Sequence, residues 1–362
     1  LTKVQKFLAL AIGIHIVLEF LFPSMYGDQF MQINSFYNYI DGHGVTINVA
    51  YPDNLSNIVY EKLNLWALGF IGINVPFWHL FHNISLAVLI LNILSIILFF
   101  VSIYKILGHL KYYIGETHRI YILLFFAVCI MPSRYMGSTD VWCLGLLFYY
   151  FSILLDIILL NHLHAKQIYF RVFILSLIAA LMLSTRYTYW LFVCLGPSVF
   201  LFYGLLKNKK LIPVAIWLAI LSFGVSFGYI WGHYQYFQKI FPTSVPVHPT
   251  LQWGSLGLYN PLVFNTLYRD TIVRNLFTAL IHGKQGLYLF QILAHVLGII
   301  IIIPVLTSIK NIIFRIAPSW KARLNSEFGV FLICSMVLIG INNLTIIYST
   351  LRFGILDLAS YP

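Results

Sequence analysis

Nine apolar runs, most of them about as long as a membrane is thick, recur along the chain and leave little choice of fold. They lie near residues 7–22, 83–104, 119–133, 141–160, 172–185, 187–206, 211–232, 286–309 and 327–348. An apolar run of about 17–25 residues crosses a bilayer as a helix, because a helix satisfies its own backbone N–H and C=O groups where water is absent. Runs 119–133 and 172–185 are short for a crossing, which points to tilted, broken or partly re-entrant segments. Charged residues make up 9% of the chain, against about 25% in a soluble domain. The expected fold is an all-α polytopic membrane protein, one domain over residues 1–362, with about nine membrane segments.

The formal charge of +11 raises the question of a nucleic-acid partner. The Lys and Arg residues are scattered between apolar runs, however, and form no single basic face, which argues against one. Cys129, Cys143, Cys194 and Cys334 lie in or beside apolar runs and lack both paired metal spacing and a disulfide framework. They read as small buried thiols. Lys3 and Lys6 precede an apolar run as in a signal peptide, but no small-residue cleavage site follows, so this segment reads as a retained first helix. The end of the chain soon after the ninth run leaves room for further helices or a carboxy-terminal domain.

With the amino terminus in the cytoplasm, 14 of the 22 Lys and Arg residues fall in inner segments and 8 in outer ones. That imbalance follows the positive-inside rule. Most acids then lie outside, among them Asp28, Asp41, Asp53, Glu61, Asp140, Asp270 and Asp357. Both large loops, 23–82 and 233–285, lie outside too. Polar chemistry is therefore expected at the outer face.

The first of those loops carries the strongest pattern. Phe30, Ile33, Tyr37 and Ile40 recur at helical spacing with Phe36 beside them, while Gln29, Gln32, Asn38 and Asp41 point elsewhere. This is an amphipathic helix suited to a membrane interface, and Gly42-His43-Gly44 ends it. Asp28 stands at its start, where an Asp ordinarily caps the helix. A carboxylate held there is also where a membrane-embedded transferase would keep a general base, and the two roles are compatible.

An acid after the first span, an amphipathic helix and the strand-and-turn Gly42-His43-Gly44-Val45-Thr46-Ile47-Asn48 together resemble the first outer loop of GT-C glycosyltransferases. The likeness is to the branch of protein O-mannosyltransferases and lipid A aminoarabinose transferases. Tyr60-Glu61-Lys62-Leu63 resembles the Glu-Lys-Pro element of the latter, with Leu63 in place of the proline. Asp140, in the second outer turn, matches the family's second-loop acid, and Arg352 in Thr350-Leu351-Arg352-Phe353-Gly354 resembles a late Arg-aromatic element. Many members have two adjacent acids in the first loop; here Gln29 follows Asp28.

The resemblance implies a GT-C-like fold with interfacial helices in the outer loops. It implies inverting transfer of a sugar from a polyprenyl-phosphate donor to a lipid, glycan or protein acceptor. Asp28 would activate the acceptor, with Asp140 in support. Lys62 would bind the donor phosphate, with Tyr60 and Glu61 beside it. Arg186 and Arg352 are further outer-face cations suited to phosphate. A divalent metal, if one takes part, would be held by Asp28 and Asp140. A bacterial inner membrane, with the active face away from the cytoplasm, is the expected location.

Plainer readings stand beside these. Lys62 can pair with Glu61 or water, and Arg134 and Arg186 can simply snorkel to the interface. His79 and His82 lack the carboxylate of a helical zinc site and read as an interfacial pair. Glu19 and Asp156, costly against lipid, are expected to be paired internally or near an interface. The loop 233–285, with Tyr268, Arg269 and Arg274, reads as specificity territory. A lipid-linked oligosaccharide polymerase or ligase would instead concentrate its chemistry in that loop. A lipid or solute transporter would show a polar path and midplane sites.

Overall fold

Apolar residues fill each long run, and in this computed structural model they wind into helices wherever the run is described. The described residues are 2–21, 27–51, 54–62, 68–111, 114–130, 138–159, 164–185, 190–206 and 208–238, with a few positions between 296 and 337. In chain order the elements are α1 (Lys3–Leu21), α2 (Gly27–Ile40), β1 (Thr46–Tyr51), β2 (Asn54–Lys62), α3 (Gly69–Phe81), α4 (Ile84–His109) and α5 (Glu116–Ile130). Then follow α6 (Ser138–Leu159), α7 (Ala165–Thr185), α8 (Trp190–Leu206) and α9 (Leu211–Phe237).

The described residues are mostly helical, and among them five helices are long and apolar enough to cross a membrane: α1, α4, α6, α7 and α9. It is an integral, multi-pass membrane protein. The run read as short at 172–185 is in fact a 21-residue helix from Ala165. Its first two turns carry Lys166, Gln167 and Arg171, which hid it among polar residues, and Arg171 is neutralised by Asp156 of α6 at 3.5 Å. The other short run is described as α5, 15 residues ending at Ile130, and the residues that follow it lie outside the described ones. The last two expected spans, 286–309 and 327–348, lie outside the described residues apart from a helical stretch at 303–308 and single positions.

Contacts between helices set the threading. Val4 N–H donates to Glu116 and the Gln5 amide to Tyr104, so one end of α1 meets the end of α4 and the start of α5. At the other end of α1, buried Glu19 accepts a hydrogen bond from Asn92 of α4 at 2.6 Å. His15, also buried, sits 3.0 Å from the Ala127 carbonyl of α5. The helices thus run alternately up and down, and the chain between α1 and α3 folds at one end, called here the hairpin end. The core lies between α4, α6, α7, α8 and α9, around Phe99, Phe100, Tyr150, Leu154, Phe200 and Leu218. The outward faces are apolar as well: Trp217, Ile220, Phe223 and Phe227 of α9 are exposed, as they are in a helix that meets lipid.

Both intramembrane acids are internally paired, as expected. Glu19 has Asn92. Asp156 is held between Lys105, His109 and Arg171 at the end opposite the hairpin. Cys143 and Cys194 are reduced, the first buried and the second half-buried.

The loop 23–82 is far from plain coil. It holds α2, an antiparallel β1–β2 hairpin with Thr46 opposite Lys62 and Asn48 opposite Tyr60, and α3. The hairpin departs from an all-helical chain. Helix α3 is missed by apolar periodicity because Pro76 stands inside it. Gly69 starts α3 against the end of α7: a Cβ there would lie 2.6 Å from the Ser184 carbonyl oxygen, so only glycine allows the approach.

The packed face of α2 is wider than the apolar one, on which Ile33, Phe36 and Ile40 do pack inward. Phe36 is buried, but so are Gln32, Ser35 and Asn38, while Tyr37 is 41% exposed. The reason is the hairpin. Asn38 donates to the Thr46 carbonyl (2.9 Å) and to Asn48 Oδ1 (2.7 Å), while Asn34 Oδ1 accepts from Asn48 N–H (3.1 Å). A polar neighbour pulls polar side chains inward, and Phe36 fills the remaining space against Trp78 of α3.

Candidate functional site

The hairpin is the element that gathers candidate residues. Tyr60 and Lys62 lie two apart on β2, so their side chains leave the same face, and both are exposed. Lys62 Nζ donates to the backbone carbonyl of Tyr236, near the end of α9, at 2.7 Å. The same ammonium lies 5.0 Å from the centre of the Tyr236 ring. The Tyr236 hydroxyl in turn accepts from Val45 N–H, just before β1, at 2.8 Å. Tyr236 thus ties β2 and the turn before β1 to α9, through its carbonyl and its hydroxyl.

The turn before β1 is shaped for this. Gly42 has φ +86° and Gly44 φ +75°, a region that L side chains rarely adopt. Gly44 is also pressed against the Tyr236 hydroxyl, leaving no room for a Cβ. Gly44→Ala is expected to cost about 1–3 kcal/mol through backbone strain and to loosen Tyr236 from Val45. A lowered melting temperature with faster amide exchange at Val45 would record this; an unchanged melt would refute the packing described.

Below the hairpin a second tie repeats the theme. Tyr229 of α9 donates to the Ser184 carbonyl and accepts from Leu68 N–H, both at 3.2 Å. The ends of α7 and α9 and the start of α3 are therefore joined beside the hairpin.

The sequence-derived candidates fall as follows. Lys62, Tyr60 and Glu61 are at the hairpin end of the bundle, with the exposed Lys62 reaching to Tyr236. Asp28 is placed by its backbone only: α2 begins at Gly27, so Asp28 occupies the first turn instead of the cap. Asp140 likewise sits in the first turn of α6, which also begins at the hairpin end. The side chains of both acids lie outside what the structure describes, so their separation and any shared metal do too. Among the described residues, no group of three or more His, Cys, Asp or Glu gathers to hold a metal ion. Arg186 lies outside the described residues, directly after the end of α7 at Thr185. Arg352, Arg134, Tyr268, Arg269 and Arg274 lie outside as well. The late loop begins later than read, because α9 continues to Phe237. His79 and His82 are exposed, and His82 closes α3 in the left-handed conformation, its N–H donating to the Trp78 carbonyl.

Two residues escaped sequence reasoning. His43, read only as part of a helix stop, stacks on Tyr60 with ring centres 4.0 Å apart and planes 15° from parallel. Tyr236, near the end of an apolar run, carried no signal that it would meet residues 190 positions earlier.

Compared with known proteins, the chain matches no family model, no curated protein and no solved structure.

Proposed function

We propose that this protein is a GT-C-like glycosyltransferase that moves a sugar from a polyprenyl-phosphate carrier to an acceptor at the extracytoplasmic membrane face. The observation that supports it most is the fold of residues 27–62. An interfacial helix and a hairpin seat Lys62 at the end of the bundle where α2 and α6 begin with Asp28 and Asp140 in their first turns. Among the described residues before 239, Lys62 is the one Lys or Arg at that end. Lys3, Lys6, Lys105, Lys111, Arg119, Lys166, Arg171, Lys209 and Lys210 cluster at the other. That split favours a cytoplasmic location for the opposite end, in keeping with a bacterial inner membrane.

In this reading the acceptor nucleophile attacks the anomeric carbon from the face opposite the phosphate, inverting it. Asp28 takes the nucleophile's proton as general base. The bond between the anomeric carbon and the phosphate oxygen breaks, and its electron pair stays on the lipid phosphate. Lys62, with Arg186 or Arg352, offsets the charge that develops there. An ammonium has three donors; one is used by the Tyr236 carbonyl, and the others remain for phosphate oxygens. Asp28 and Asp140 are the carboxylates that would hold a divalent cation, and no step here requires one.

Lys62→Met keeps the apolar stem and removes the charge. Purified in nanodiscs and folded as wild type, it is expected to raise KM for the lipid-phosphate sugar about tenfold or more, the loss of a charge-assisted contact of about 1.5–3 kcal/mol. Unchanged donor kinetics would show that Lys62 is only a tether for α9.

A further inference from the structure

We propose that the His43–Tyr60 stack is the platform on which the sugar ring of the lipid-phosphate donor rests, next to its phosphate at Lys62. This rests on the donor reading above and assigns the part of the substrate that reading leaves without a partner.

Four observations lead there. The two rings are parallel and in contact, whereas the aromatic pairs of α2 and α3, such as Phe36–Trp78 at 69° and Tyr37–Trp78 at 88°, meet edge-on as core rings do. The stack buries neither partner fully: Tyr60 remains 43% exposed and His43 is exposed. It is not needed to set the hairpin, whose register is held by strand pairing and whose docking is held by Asn38, Asn34 and Tyr236. Finally, Gly42 and Gly44 bracket His43 with positive φ, so the chain reverses tightly at the residue that reaches back over Tyr60.

The chemistry of the patch suits a glycosyl phosphate. A sugar ring offers a C–H face to a flat aromatic surface and hydroxyls to its edges. The His43 ring nitrogens supply a donor and an acceptor at those edges, while Tyr60 contributes its ring face. Two residues along a strand is about 7 Å, which puts the Lys62 ammonium one group away from the platform, where the phosphate joined to the sugar would lie. The Tyr236 ring packs under that ammonium and holds its position. Apolar faces with a few fixed polar groups are the usual makeup of a small-ligand site.

The test compares undecaprenyl phosphate with undecaprenyl phosphate bearing a hexose or aminopentose, measured as Kd in nanodiscs. Wild type, His43→Ala, Tyr60→Ala and Tyr60→Phe are compared, with melting curves confirming folding. The platform predicts tighter binding of at least one sugar-bearing lipid than of the bare phosphate. It also predicts that His43→Ala and Tyr60→Ala weaken that binding about three- to tenfold, with bare-phosphate binding unchanged and Tyr60→Phe close to wild type. Equal weakening for both lipids, or none, overturns the platform. Wild type binding both lipids equally overturns the platform and leaves the phosphate site at Lys62 standing. Wild type binding neither overturns the donor reading itself.

Discussion

Asp28→Asn is expected to give a folded protein in which sugar transfer falls about 10²–10⁴-fold, the contribution of a positioned general base. Asparagine is the informative replacement because it is nearly isosteric and serves helix starts as well as aspartate does. In the first turn of α2 the charge itself adds about 0.3–1 kcal/mol through the helix dipole, so stability should change little. If Asp28 only supports the helix, Asp28→Asn keeps its activity. The melting curve of each variant, read beside its rate, separates the two roles. Loss of fold and activity together would assign Asp28 to structure.

The second large effect lies at the other end of the bundle and should leave chemistry alone. Asp156, of which only 6% of the side chain is exposed, faces Lys105, His109 and Arg171 from α4 and α7. Asp156→Asn leaves those cations together without a counter-charge. Removing one partner of a buried ion pair costs about 3–5 kcal/mol, and the lower figure applies here because Lys105 is 43% exposed. The expected result is a marked fall in melting temperature with unaltered transfer per folded molecule. A melt like that of wild type would show that water at the helix ends already screens this cluster.

The same cluster explains which parts of the fold were legible. Apolar length alone located α1, α4, α6, α8 and α9 to within several residues. Helix α7 was cut short because Arg171 looks like a boundary until its partner, 15 residues earlier in another helix, is known. Periodicity gave only part of the packed side of α2: Ile33, Phe36 and Ile40 pack inward, but it ranks Asn38 as solvent-facing, and only the hairpin shows where its hydrogen bonds go. The turn at Gly42-His43-Gly44 was readable from glycine, while strand β2 and helix α3 were not, since the pairing of Tyr60 with Asn48 and the close approach of Gly69 to Ser184 are tertiary facts.

Residue chemistry pointed to Lys62 and Tyr60, and both lie on one face of β2. The partners that orient them, Tyr236 and His43, come from an apolar helix and a turn, contexts in which a tyrosine or histidine ordinarily reads as packing. Tyr236 joins α9 to Lys62 and Val45, 174 and 191 residues upstream, and His43 reaches from a turn to β2; no local pattern encodes either contact.

The central claim is most directly tested by measuring label transfer from a panel of polyprenyl-phosphate sugars to a crude envelope acceptor fraction. The wild-type protein is reconstituted in lipid, and nucleotide sugars serve as the control donors. The account predicts transfer from at least one lipid-phosphate sugar and none from nucleotide sugars. No transfer from any lipid-linked donor, with folding and acceptor supply verified, would contradict it.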